Sequence, residues 1–196
     1  MAVQATPRLP AAARRELVLR AAMDEFGASG YDRARLDDIA SSAGVTKPII
    51  YRHFESKKGL YLAVLARHRE DLPTFLADLP ADVPFDELMR GILDGWLAYA
   101  FENQARWRML FRDQGGDADV ARARADVHAE ALHVLAVFLA EHPAFTIPAD
   151  QVEPTAELVS QGLAAMVLWW SENPRVERAT VVEVATRVVT GISSQA

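Results

Sequence analysis

The 196-residue chain has no cysteine. That absence removes disulfides, thiolate metal sites and cysteine nucleophiles together, and it suits a reducing compartment, so a cytoplasmic protein is expected. Long apolar runs are also missing. The most apolar window, Leu158 to Trp170, contains Ser160 and Gln161 and falls short of the ~20 residues that span a bilayer, so no membrane partner is expected. Near the amino terminus Arg14, Arg15, Glu16 and Arg20 interrupt any signal-like apolar core. No convincing alternating strand and no glycine-rich phosphate loop occurs. His128 and His133 are five apart and leave a helix on different sides, and the other histidines are no better spaced for a metal. A metal, a resident cofactor and a catalytic centre are therefore not expected.

Lysine is nearly absent too. All three, Lys47, Lys57 and Lys58, lie in the stretch GVTKPIIYRHFESKKGLY, beside Arg52 and His53, in a chain of formal charge −6. Residues 1–70 carry 12 Lys/Arg against 8 Asp/Glu, whereas residues 71–196 carry 9 against 19. A basic amino-terminal segment on an acidic body suits one end that meets a polyanion while the rest stays soluble. With 51% hydrophobic residues the chain can bury a core without staples.

Apolar periodicity is helical throughout and predicts an all-α fold. Leu17, Ala21 and Phe26, with Val18 and Ala22, form one stripe from about Ala11 to Ala28, which Ser29-Gly30 ends. Leu36, Ile39, Ala40 and Ala43 make a short second helix. Gly44 supplies the corner, Thr46 is placed to cap a third helix through its hydroxyl, and Pro48 is tolerable in that helix's first turn. On this helix Ile50 and Phe54 point one way, while Lys47, Pro48, Ile49, Tyr51 and Arg52 take the opposite side. Ser56 is placed to cap a fourth helix that begins with Lys57 and Lys58, where cations oppose the helix dipole. Two readings of that pair stand: solvated surface lysines, or a bound anion.

Two short helices joined by a glycine turn form a helix-turn-helix unit, whose second helix can enter a DNA major groove. The segment FGASGYDRARLDDIASSAGVTKPIIYRHFESKKGLYLAVL then resembles the DNA-binding domain of the tetracycline-repressor (TetR-like) family. Gly30-Tyr31, Asp38-Ile39-Ala40, Ala43-Gly44-Val45-Thr46, Tyr51-Arg52-His53-Phe54 and Lys57 with Leu60 carry the resemblance, which covers about the first third of the chain. It implies a homodimeric transcription factor, usually a repressor, that binds palindromic double-stranded DNA and is released by a small, largely apolar effector in its carboxy-terminal domain. It also implies that Thr46, Tyr51, His53 and Lys57 hold phosphates, with Lys47, Ile49 and Arg52 nearest base edges. Arginine chemistry suits guanine and an aliphatic side chain suits the thymine methyl. Two positions depart from the family pattern. Arg35 replaces the small hydroxyl residue usual before the second helix and is a candidate phosphate ligand, with Asp37 compensating through the dipole; Pro48 replaces a frequent glycine and removes a backbone donor. Arg8, Arg14 and Arg15 form either a DNA-touching arm or a solvated helix start.

From Pro84 onward the helices are longer. Met89, Trp96, Tyr99, Trp107, Phe111 and Met166 form an aromatic and sulfur-rich set that lines a pocket or fills a core, and His128 is the polar residue among them. The last two helices, about Asp150 to Glu172 and Arg175 to Ile192, are apolar on more than one side. Leu158, Gly162, Ala165 and Trp169, with Val181, Ala185, Val188 and Ile192, are the expected four-helix dimer interface; burial within one subunit is the alternative. The expected domains are an arm over residues 1–10, a helix-turn-helix domain over 11–56 and a ligand-binding and dimerisation domain over 57–196. A helical adaptor that has lost DNA affinity is the competing reading.

Overall fold

Val18, Ala22 and Phe26 recur every four residues along the first helix, Ala11–Arg33 (α1), and all three are fully buried. The computed structural model describes residues 10–71, 83–112 and 115–193, and among them every regular element is helical. Gly30, at φ 76°, breaks α1 where the sequence predicts its end, and one further turn carries the chain to Arg33.

Three short elements follow: α2 (Leu36–Ser42), α3 (Lys47–Phe54) and the start of α4 (Lys57–Asp71). Gly44 takes φ 63° between α2 and α3, a left-handed value that disfavours a Cβ, and the Val45 amide bonds the Ala40 carbonyl at 2.9 Å to fix the corner. Arg35 sits at the N-cap of α2 without capping it, so Asp37 and Asp38 in the first turn are left to complement the dipole. Ser56 does cap α4, its hydroxyl accepting the Gly59 amide at 2.9 Å. Thr46 does not cap α3, contrary to expectation. Its partners are unavailable: Pro48 has no N–H, and the Ile49 amide already bonds the Thr46 backbone carbonyl at 2.9 Å.

Phe26, Ile39, Ile50, Leu60 and Tyr61 are buried together in the amino-terminal core, and Met109, Val120 and Val127 join them from the second half. A boundary between residues 56 and 57 therefore cuts through a packed unit. The first turns of α4 belong to this core, and α4 packs against α1 and against a later helix, Ala118–Glu141.

The second half contains α5 (Phe85–Glu102), α6 (Gln104–Trp107), α7 (Ala118–Glu141), α8 (Ala149–Glu172) and α9 (Arg178–Ser193). Residues Arg108–Arg112 continue α6 as a π-helical turn. The widened turn puts Met109 into the amino-terminal core, while Phe111 stacks on Trp107 at 5.3 Å. At Gly27 an added Cβ would collide with the Ala105 backbone, so α1 and α6 approach more closely than any other residue allows. The Asp117 carboxylate caps α7, accepting from the Asp119 and Val120 amides at 3.1 Å each. α9 starts three residues later than predicted, because the Trp170 indole N–H pins the Val176 carbonyl at 2.9 Å and holds 174–177 in a turn. The second core, with Leu93, Leu97, Leu139, Val167 and Trp170, lies where α5 meets α9 and α7 meets α8.

Candidate nucleic-acid interface and internal cavity

The two sides of α3 differ in chemistry. Ile50 and Phe54 are buried, whereas Thr46, Pro48, Tyr51 and Arg52 are exposed and Lys47, Ile49 and His53 are half-buried. Tyr51 leaves 46% of its surface in solvent, an exposure that its ring gains nothing from in the free protein.

The cations around this face are held in distinct ways. Lys47 pairs with Asp37 of α2 at 3.0 Å. The pair is solvent-exposed, so its contribution is small and Lys47 can exchange Asp37 for a phosphate or a base acceptor. Arg35 is exposed and lies 4.0 Å from Asp38. The Lys57 ammonium donates to the Asp32 carbonyl at 3.0 Å and sits 4.9 Å above the Tyr31 ring. Lys58 answers differently to the two readings left open for it. It stays partly exposed, and its partners are carboxylates of this chain, for it reaches Asp119 at 2.7 Å and Asp117 at 3.1 Å at the start of α7. Asp119, then Asp117, push the ammonium above the ordinary lysine range. The Asp117 carboxyl is held below its usual range, first by the Val120 amide and then by Lys58.

His53 is surrounded by positive charge. Its Nε2 is buried without a partner, as is the Nε of Arg14. Burial, followed by the guanidiniums of Arg52, Arg14 and Arg15, pushes its pKa down. Arg15 lies 5.2 Å over the Phe54 ring, so the start of α1 flanks the end of α3. Arg8 lies outside the described residues.

Between α5, α6, α7 and α8 is a cavity of about 590 Å³. Met89, Trp96, Tyr99, Trp107, Phe111 and His128 of the expected pocket set line it. Met166 does not; it packs half-buried against the second core, on the side of α8 that faces its own subunit. The sequence reading missed Arg124 and Gln161, polar lining residues that single-helix periodicity assigns to solvent. Aromatic rings form a continuous wall: Trp96 meets Trp107 edge-on at 5.0 Å, Trp107 stacks on Phe111, and Phe111 meets the His128 ring edge-on at 5.8 Å. His128 Nε2 lies 3.3 Å from Glu157, to which Gln161 donates at 3.0 Å. The Glu157 carboxyl is held below its usual range chiefly by the Gln161 amide, with His128 adding to the effect. Another hollow, about 680 Å³, opens between the end of α1 and the π-helical turn. Its Arg33 is engaged by the Ser29 carbonyl and its Arg112 by Glu172, while Arg108, bonded to Gln104 at 3.3 Å, keeps a buried Nε without a partner.

A separate apolar face lies on α8 and α9. Leu158 is 72% exposed, Trp169 51% and Val188 62%, with Gly162 and Ala165 exposed between them. Val181 and Ala185, expected on this face, are instead buried in the subunit core at 3% and 1% exposure. α9 is apolar on two sides and periodicity selects either, but packing against α5 takes Val181, Val182, Ala185 and Val189, which leaves Val184 and Val188 outward. The Ile192 side chain lies outside the described residues.

The amino-terminal part is a helix-turn-helix unit whose α3 presents a polar, cationic face, and it is joined to a helical body with an apolar cavity. Residues 18–64 match the family described as bacterial regulatory proteins, tetR family. The HTH-type transcriptional activator FasR of Mycolicibacterium smegmatis is 34% identical over 125 residues, 63% of this chain and 57% of that protein. The HTH-type transcriptional regulator RutR of Escherichia coli is 42% identical over 69 residues, 35% of this chain and 31% of that protein. The matched region thus spans less than two thirds of these curated relatives. Over nearly the whole chain the fold is that of a TetR-like transcriptional regulator from Rhodococcus sp. RHA1, with TM-score 0.75, 22% identity and coverage of 96% of this chain and 100% of that one. It is also that of the transcriptional regulator FadR from Bacillus subtilis in complex with stearoyl-CoA, with TM-score 0.71, 14% identity and coverage of 92% and 97%. Among the described residues no helix is long and apolar enough to cross a membrane.

Proposed function

We propose that this protein is a ligand-responsive regulator of transcription, a repressor, that binds palindromic duplex DNA as a homodimer in the cytoplasm. The observation that carries the reading is the division of α3: Ile50 and Phe54 anchor it in the core, while Lys47, Ile49, Tyr51 and Arg52 face outward with Thr46 at its start. Arg52 and Ile49 are suited to base edges, and Thr46, Tyr51, His53 and Lys57, with Arg35 to one side, are suited to phosphates. The exposed apolar face of α8 and α9 is suited to pairing two copies, because two reading helices must lie ~34 to 36 Å apart to enter successive major grooves. The apolar cavity takes the effector. Its wall, α7, is tied to α4 through Lys58, so a shift of α7 on binding alters the spacing of the two α3 helices.

The test is selection of bound duplexes from a random pool, followed by anisotropy titration of the recovered site. Affinity falls steeply with salt as counterions are released. Lys57→Ala weakens all sequences alike, whereas Arg52→Ala relaxes preference at one base pair, costing roughly 1–3 kcal/mol of discrimination there. Equal losses on every sequence from both variants overturn the assignment of roles, and absence of binding to any duplex at low salt overturns the function.

A further inference from the structure

The polar side chains of the cavity wall are already engaged within the protein, with one exception. The Tyr99 hydroxyl accepts from Arg106 at 2.6 Å, and His128 and the Gln161 amide both meet Glu157. Arg124 donates to the Tyr61 hydroxyl and the Gly115 carbonyl and has a further interaction besides, and Glu130, exposed on α7, is engaged as well. Ser160 adds an uncharged hydroxyl. An ion entering this aromatic and aliphatic space would give up its hydration and find every charged lining group already occupied. The exception is Trp107, which lines the cavity at 6% exposure. Its indole Nε1–H can only donate, and it is buried without an acceptor. An orphaned buried donor is costly, and because this one bonds to nothing, a small turn of the ring toward the cavity gains a hydrogen bond and loses none.

We infer, resting on the reading of this cavity as the effector site, that the effector is an uncharged, mostly apolar molecule with a carbonyl oxygen, as in a ketone, ester or lactone, which accepts from the Trp107 indole. A hydroxyl or a primary amide would bring a donor of its own, for which the wall offers little beyond Ser160; a carbonyl brings none. The place of Trp107 also explains how binding is felt by the DNA-binding domain. Trp107 closes α6 and leads into the π-helical turn, where Leu110 lines the cavity and packs on the amino-terminal core, and Met109 lies within that core at 2% exposure. Two residues before Trp107, the Ala105 backbone meets Gly27 of α1 so closely that no Cβ fits between them. Close-packed contacts of this kind transmit displacement, so a ring drawn toward the ligand shifts the turn and α1 with it. Trp107 is thus a recognition residue and the point of contact between the effector and the DNA-binding domain.

The experiment titrates the full chain by calorimetry, without DNA, with 2-acetylnaphthalene, 2-ethylnaphthalene, 2-naphthoate and 2-naphthylmethylammonium, and with 2-undecanone as an open-chain ketone. The acetyl compound is expected to bind about five-fold tighter than its ethyl isostere and at least about ten-fold tighter than either ion. Trp107→Phe brings the ketone down to the affinity of the hydrocarbon without altering helicity by circular dichroism. At equal occupancy of the parent, the ketone changes affinity for the selected duplex more than the hydrocarbon does. Equal affinity of ketone and hydrocarbon, tighter binding of either ion, or no binding of either ketone overturns the inference. Those results leave the DNA-binding reading standing, since duplex affinity without effector is measured separately. Should Trp107→Phe fail to fold, the indole N–H resonances of the four tryptophans decide. The ketone must shift one of them downfield that the hydrocarbon leaves in place, and that shift must survive in Trp96→Phe; its absence overturns the inference equally.

Discussion

Thr46 and Ser56 occupy matching positions ahead of α3 and α4, yet only Ser56 is used as a cap. The difference separates stability from binding. Ser56→Ala is expected to lower unfolding stability by about 0.5–2 kcal/mol in urea denaturation, the usual cost of a lost cap. Thr46→Ala is expected to leave the urea midpoint nearly unchanged but to weaken duplex binding, because the hydroxyl that cannot cap is free for a phosphate. His53 gives a pH signature. Its folded pKa lies below the ordinary value, so near pH 6 the unfolded chain binds more protons and this residue's contribution to stability falls as pH falls through the histidine range. A DNA phosphate beside Arg14, Arg15 and Arg52 reverses the balance and favours the imidazolium. Duplex affinity at fixed salt should therefore rise from about pH 8 to about pH 6. Anisotropy across that interval checks it, and His53→Asn should flatten the slope relative to the parent.

The elements that were legible in the sequence are those governed by local chemistry. α2 and α3 were readable because Gly44, Pro48 and four-residue apolar spacing act within one or two turns of the residues they organise. The inward and outward stripes of α8 were readable for the same reason: Leu158 and Val159 are neighbours with opposite fates. What was hidden depends on distant partners. The π-helical turn has no period of its own in the sequence, and Lys58 meets Asp117 and Asp119 only after some sixty intervening residues have folded back. Arg124 was overlooked in the same way, since its place in the cavity is decided by Tyr61 and Gly115. The junction of α4 with α7 yields a test of its own. Asp117, depressed below the usual carboxylate range, contributes stability that is complete above that range and lost as pH falls through its folded value. Asp117→Asn keeps an acceptor for the Val120 amide but not the charge facing Lys58. Thermal unfolding against pH should show a smaller acid-induced drop for Asp117→Asn than for the parent, together with a lower midpoint at neutral pH.

For the whole molecule, the question is what covers Leu158, Trp169, Val184 and Val188, which leave a contiguous apolar surface on the last two helices. Two copies related by a two-fold axis would bury the same patch on each other, and their four helices would form one layer. Small residues at Gly162 and Ala165 permit close approach of the α8 pair, where an added Cβ at Gly162 meets nothing within the subunit. The prediction separates interface from core at positions about two turns apart on one helix. Val188→Asp, or Leu158→Asp on α8, should convert a dimer to a helical, cavity-bearing monomer by sedimentation equilibrium, with retained circular dichroism and much weakened binding to a palindrome but not to a half-site. Val181→Asp, seven residues before Val188 and buried at 3% exposure, should instead unfold the body, since it leaves an unpaired charge in the second core. A Val188→Asp protein that sediments as the parent does would assign that face to a contact other than self-association, and with it the spacing of the two α3 helices would lose its structural basis.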